Sequence, residues 1–287
     1  MQIQCFHHPT TGTLTYLVWD EQSRDALIID SVLDFDMNRV SFATDALEAL
    51  YTAVESRQLL VRAVLDTHAH ADHVSGMAAV VARYGCVSVV GRSMCQVQEV
   101  FAPMFNLGDD FPTDGRQFDH LLDDGQCLQL GSLEIRAIHT PGHTPACTSF
   151  LIGDAVFTGD ALFMPDFGTG RCDFPDGSPE HLYDSVVGKL YGLAPETRVF
   201  VGHDYQPGGR ELRFETTIEE CAESNKQLRR DTPRADFVRW RRERDSVLNL
   251  PKLLFHAIQI NINAGRLPAP GPGGTRCLHL PIGQFES

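Results

Sequence analysis

Asp66-Thr67-His68-Ala69-His70-Ala71-Asp72-His73 follows directly on an apolar run at residues 59–65. The run reads as a strand, and a helix is expected from about residue 76 to 84. On extended backbone, side chains two residues apart point the same way, so His68 and His70 face one side. Asp72 and His73 come as the chain turns toward the helix. Four groups of the kind that ligate first-row metals, this close together behind a strand, point to one or two metal sites. A solvated polar loop is the poorer explanation.

Three further motifs end expected strands in the same manner. His139-Thr140-Pro141-Gly142-His143-Thr144 follows a strand at 133–138. Pro141 and Gly142 bend the chain so that His143 can reach back, while His139 reads as structural. Thr158-Gly159-Asp160 brings a carboxylate, and Gly202-His203-Asp204 closes a strand at 199–201. Polar motifs at the ends of apolar strands belong to loops along one edge of a layered fold, where distant sequence can assemble one site.

The rest of the pattern fits an alternation of strands and helices. Short β-rich runs occupy 13–19, 26–29 and 87–90, and turn pairs mark hairpins at 127–138 and 149–158. Leu47, Leu50, Tyr51 and Val54 recur at helical spacing in a segment expected to end near Arg57, with Asp45 and Glu48 as a capping box. Further helices are expected at 178–190, 215–228 and 235–248. The tail at 265–274 is rich in Pro and Gly and reads as a surface arm.

At 287 residues the chain fits one large domain or a domain with an appendage. The net charge of -14 argues against a nucleic-acid partner, because phosphate binding needs a cationic footprint. The arginines at 229–244 alternate with acids and read as a salt-bridged helix face. No apolar run is long enough for a bilayer and no export signal opens the chain, so no membrane role and a cytoplasmic location are expected. The eight cysteines contain no CxxC pair and are expected to be reduced thiols.

The order HxHxDH, later His, Asp in a TGD turn and final His resembles the metallo-β-lactamase superfamily. The resemblance covers residues 1–225 and implies an α/β fold, the αββα sandwich, with the metal site at one edge between two sheets. Residues 226–287 then form a C-terminal helix and arm packed on the same domain. Within the superfamily the chain is most similar to the persulfide (sulfur) dioxygenases and a bacterial β-lactamase-like hydrolase group. Gly170-Arg171-Cys172-Asp173-Phe174 and Gly202-His203-Asp204-Tyr205 carry that likeness. Leu162-Phe163-Met164-Pro165-Asp166 and Ile258-Gln259-Ile260-Asn261, with Ala264-Gly265-Arg266-Leu267-Pro268, resemble the bacterial group.

The resemblance implies one iron(II) per chain, held by His68, His143 and Asp160, with open positions for a persulfide and O2. His70, Asp72, His73 and His203 then either support these ligands from outside or hold a second ion. The implied reaction oxidises glutathione persulfide, or a related small persulfide, to sulfite and thiol in sulfide detoxification, with no amino-acid nucleophile or base. Arg171 is the expected contact for a glutathione carboxylate and Tyr205 for a hydrogen bond near the substrate. The insertion at 163–169 lies where substrate approaches. The competing reading is a zinc hydrolase of glyoxalase II (thioesterase) type, working through metal-activated water. A non-catalytic sensor on the same scaffold is a third. Cys147 and Cys172 lie near the site in sequence and read as packing residues, with a sulfur relay as the alternative. The tail after Gln259 suits an arm packed on a second subunit in a homodimer.

Overall fold

The computed structural model describes residues 1–283. The first half runs β1 (Gln2–His8), β2 (Thr13–Trp19), β3 (Asp25–Ile29), β4 (Val32–Asp36), β5 (Ser41–Ala43), α1 (Asp45–Ser56), β6 (Leu60–Leu65), β7 (Val74–Ser75), α2 (Met77–Tyr84), β8 (Val87–Gly91), α3 (Met94–Met104) and β9 (His120–Leu122). The second runs β10 (Cys127–Leu130), β11 (Leu133–His139), β12 (Thr148–Ile152), β13 (Ala155–Gly159), α4 (Pro179–Tyr183), β14 (Arg198–Val201), β15 (Glu215–Thr217), α5 (Ile218–Ser224), α6 (Arg234–Asp245) and α7 (Leu254–Asn261).

Two six-stranded sheets result, β1-β2-β3-β6-β8-β9 and β10 to β15 in chain order, with a small β5-β4-β7 sheet beside them. The parallel pairs β3/β6, β6/β8 and β8/β9 require crossovers, and α1, α2 and α3 supply them. The β13/β14 pair is likewise parallel, and the chain between its strands carries α4.

Period-two alternation divides the strand side chains between two cores. Leu14, Tyr16 and Val18 of β2 point inward to meet Ile135, Ala137 and Phe150 of the second sheet. Leu17 points the other way, joining Leu50, Val54, Val80 and Phe101 of the first helix layer. Leu182, Cys221 and Phe237 cover the outer face of the second sheet, which completes helix–sheet–sheet–helix layering. No helix among the described residues is long and apolar enough to cross a membrane.

Several boundaries differ from the sequence reading. The capping box at Asp45 and Glu48 is not formed. Thr44 is the N-cap without a side-chain bond, and Asp34 of β4 accepts the Ala46 N–H instead, at 2.6 Å. Residues 215–217 pair with β14 rather than opening a helix, as suits β-branched Thr216 and Thr217. The Thr217 hydroxyl then caps α5 by accepting from Glu220 N at 3.1 Å. That helix ends at Ser224, because the Asn225 side chain turns the chain by accepting from Gln227 N and Leu228 N. The expected helix at 178–190 continues past α4 as one wide turn over residues 184–189 and a tight turn to Gly192. Helices α3 and α7 and strands β1, β4, β5, β7, β9 and β15 are additions to the sequence reading.

Candidate metal centre

The loop after β6 carries His68, His70, Asp72 and His73 at the end of the first sheet. The second sheet brings His143 after β11, Asp160 after β13 and His203 after β14. Two glycines allow the approach. Gly142 has φ +145, and a Cβ there would lie 2.4 Å from the Leu182 backbone, so only glycine lets the bend place His143. Gly159 has φ +50, and a Cβ would lie 2.4 Å from Thr67 Oγ1, beside the metal loop.

His68, His143 and Asp160 offer ligand atoms within 4.8 Å of one another, and so do His70, Asp72 and His73. His203 Nε2 links the two groups, 3.3 Å from Asp72 and 3.4 Å from Asp160. The His68 and His70 rings lie 4.0 Å apart, as expected for neighbours on one side of extended backbone. All seven sequence-predicted residues therefore meet in one place.

The donor set suits a cation. His68 Nε2, His70 Nδ1, His73 Nε2, His203 Nε2 and Asp160 Oδ1 are buried without a hydrogen-bond partner. Buried polar atoms are nearly always paired, and imidazole nitrogens beside a carboxylate oxygen are the donors a transition metal takes. The opposite ring nitrogens of His68, His70 and His143 are fixed, whereas neither nitrogen of His203 has a hydrogen-bond partner among the described residues. His143 Nδ1 donates to Arg171 O at 2.6 Å. His68 Nδ1 donates to Thr67 Oγ1 at 3.0 Å, and that hydroxyl donates to Asp30 at 2.9 Å. His70 Nε2 donates to Asp30 at 3.0 Å. Each bond sets a tautomer and turns the free nitrogen inward.

Asp30 is the support that sequence reasoning missed. It follows β3 with φ +52, a left-handed conformation that Asp tolerates, and also accepts from Thr67 N at 2.7 Å. Its one local signal is a carboxylate after an apolar strand, the pattern that marked Asp160. Burial raises the Asp30 carboxyl pKa, against the pull of His68 and the Thr67 N–H. Burial and the neighbouring imidazoles hold His68 and His70 well below the usual histidine range, in the neutral form that ligates metals. Burial raises Asp160, against the attraction of His203 and His143. Burial opposes ionisation of Asp72 too, but His203 and His73 hold it well below the carboxylate range.

A cavity of about 890 Å3 opens onto Asp72, His143 and Asp160. Phe163 and Phe167 of the insertion form one wall, with Tyr205, whose ring lies 4.8 Å from Phe167 and 5.5 Å from His203. The insertion is fixed from behind. Gln227 accepts from Thr169 N and donates to Phe167 O, while Arg210 joins Asp166 to the buried Asp204. Asp204 thus serves a scaffold ion pair, outside the metal cluster. Arg171 faces the cavity, but Asp173 grips its guanidinium side-on and Asn249 O takes another N–H. Arg244 and Lys252 also line the cavity, and no ion pair engages either among the described residues. Arg229, Arg234, Arg239, Arg241 and Arg242 are ion-paired, and Arg230 instead donates to Tyr191 O, so among the described residues Arg244 is the arginine of that segment left facing the cavity without a partner.

All eight cysteines are free thiols. Burial pushes the Cys147 thiol up to about 12 and the Cys172 thiol well above its usual range, which disfavours the reactive thiolate at both. Brief iodoacetamide treatment of the folded protein at pH 8 is expected to label the exposed Cys127 and Cys277 and spare Cys147, Cys172 and Cys221. Peptide mass spectrometry reads this directly, and equal labelling of Cys172 would restore a chemical role for it.

The pattern described as "Metallo-beta-lactamase superfamily" matches residues 8–203. A probable metallo-hydrolase of Burkholderia pseudomallei is 42% identical over 98% of this chain and 99% of its own length. A beta-lactamase hydrolase-like protein of Xylella fastidiosa is 40% identical over 99% of this chain, which spans 65% of that longer relative. The mitochondrial persulfide dioxygenase ETHE1 of Homo sapiens is 31% identical over 69% of this chain and 66% of its own. The crystal structure of ETHE1 from Myxococcus xanthus superposes with a TM-score of 0.74 at 29% identity, covering 93% of this chain and all of that one. With a strand-end ligand set spread over both sheets and this match across most of its length, the chain belongs to the metallo-beta-lactamase superfamily.

Proposed function

We propose that the protein is an iron(II)-dependent persulfide dioxygenase, acting on glutathione persulfide or a similar small persulfide. The observation that carries this reading is the compact group of His68, His143 and Asp160, of which His143 and Asp160 line the cavity. Two imidazoles and one carboxylate are the ligands of the facial-triad iron oxygenases, which leave coordination positions open to substrate and oxygen. The relatives named persulfide dioxygenase and the ETHE1 structure point the same way. Bound iron(II) would supply the one-electron chemistry that ground-state oxygen requires.

The overall reaction is RSSH + O2 + H2O → RSH + SO3(2−) + 2 H+, in which the terminal sulfur is oxidised and oxygen reduced. The protein's part is binding and orientation. Arg171 O and Thr67 hold the two ligand imidazoles in the required tautomers. Phe163, Phe167 and Tyr205 narrow the approach to the ligands and limit water there. Arg244 and Lys252, with Arg171, line the cavity and offer positive charge to the carboxylates of an anionic thiol carrier.

The second reading, a zinc thioesterase, draws on His70, Asp72 and His73 as a second ligand group and on the relatives named hydrolase. The discriminating assay gives glutathione persulfide to anaerobically purified, iron(II)-loaded protein and follows oxygen and sulfite together. Oxygen uptake matched one-to-one by sulfite, and absent from zinc-loaded protein, is the expected outcome. Thioester hydrolysis by the zinc form, with no oxygen uptake by the iron form, would replace the dioxygenase by the hydrolase.

A further inference from the structure

Helix α7 lies beyond the residues that match the superfamily pattern, yet one of its side chains enters the middle of the metal loop. Asn261 is 1% exposed. Its Nδ2 donates to His70 O at 2.8 Å and to His73 O at 2.9 Å, and its Oδ1 accepts from Ser75 N at 2.8 Å. One carboxamide therefore satisfies three backbone groups on both sides of Asp72. Only an amide presents two N–H donors on one atom beside an acceptor, which is what two carbonyls and an N–H converging there require.

The helix bearing Asn261 is itself firmly seated. Leu254, Ile258 and Ile262 are buried in the helix-side core, and Gln98 of α3 donates to Ile262 O at 2.8 Å. Gln259 exchanges two hydrogen bonds with the backbone of His279, which draws the tail back onto the helix. The tail motif Ile258-Gln259-Ile260-Asn261 thus has a role in the fold that its distance from the histidine motif in sequence conceals.

We propose that Asn261 is a positioning residue of the metal centre: it holds the turn carrying His70, Asp72 and His73 in register with His68, His143 and Asp160, and so sets metal affinity. Without the amide, the carbonyls of His70 and His73 lose their partner. The peptide planes between them can then rotate, and the Asp72 and His73 side chains swing with them. This inference rests on the metal centre and not on the reaction performed there, so it stands or falls independently of persulfide chemistry.

The test compares Asn261→Asp and Asn261→Ala with Leu50→Ala, a cavity variant in the helix-side core far from the loop in sequence. The Asp variant is nearly isosteric and keeps the acceptor, but offers carboxylate oxygen to two carbonyls. Zinc(II) affinity is measured by competition with a chromophoric chelator, and folding by circular dichroism. Both Asn261 variants are expected to bind zinc about 10–100-fold more weakly while folded, the range seen when groups that orient metal ligands are lost. Leu50→Ala is expected to melt earlier yet keep wild-type affinity. Wild-type affinity in folded Asn261→Asp, or affinity that merely tracks melting temperature across all three variants, would overturn the proposal. Should the Ala variant fail to fold, Asn261→Ser takes its place under the same criteria.

Discussion

Replacing His143 by alanine is expected to remove bound metal and lower turnover by roughly a thousandfold or more, since an active-site metal supplies several kcal/mol of stabilisation. His143 reaches the cluster on a loop that Gly142 alone can bend, and its Nε2 lies 3.6 Å from Asp160 Oδ2. The fold loses little, because among the described residues the side chain's one hydrogen bond is to Arg171 O, a contact worth about 1 kcal/mol. Metal content by plasma mass spectrometry, melting temperature and activity, taken on one preparation, separate these effects. A variant that melts near wild type but holds no metal fits the site described. A variant that keeps its metal and its activity would remove His143 from the ligand set.

Asp30→Ala carries the second large effect, through both stability and metal binding. The Asp30 carboxylate accepts from Thr67 N at 2.7 Å, Thr67 Oγ1 at 2.9 Å and His70 Nε2 at 3.0 Å, all in the interior. Truncation leaves three buried donors unpaired and frees the orientation of both loop imidazoles. Loss of about 3–5 kcal/mol in the metal-free protein is expected, the summed cost of leaving three buried donors without a partner. A metal affinity about 10–100-fold weaker accompanies it. Urea denaturation of metal-free protein reads the first effect and chelator competition the second. Unchanged affinity in the folded variant would mean that Asp30 stabilises the fold without orienting His70.

These two residues differ in how far sequence alone discloses them. His143 announces itself through its position after a strand and a Pro-Gly bend, and local rules of that kind located His68, His70, Asp72, His73, Asp160 and His203 as well. The strands that feed them are apolar runs with clear turn boundaries, such as Ala155–Gly159. Asp30 also follows an apolar strand, but its meaning lies in a partner 37 residues away that only the parallel β3/β6 pairing brings beside it. Asn261 is further removed, 186 residues from Ser75. Helix α3 lies outside the sequence reading although Met94, Val97 and Phe101 keep helical spacing behind Ser93, because Ser93 makes no capping bond and Pro103 interrupts the helical pattern. Arg171 is a different case: the motif leads to a cation at the cavity, and the structure adds an ion pair with Asp173 two residues on. Of the two cavity cations without an ion pair among the described residues, Arg244 ends the segment 229–244 that reads as a salt-bridged helix face, and Lys252 lies beyond it in a stretch without a motif.

The proposed chemistry requires one three-ligand centre to be the active one. Stepwise anaerobic addition of iron(II) to metal-free protein, with bound iron and persulfide-dependent oxygen uptake measured at each step, tests it most directly. Uptake should rise linearly and level off at one iron per chain, and zinc should abolish it by occupying the same site. Activity that appears only as a second ion binds, or thioester hydrolysis in place of oxygen uptake, would contradict a single-iron dioxygenase and make His70, Asp72, His73 and His203 ligands of a working binuclear centre.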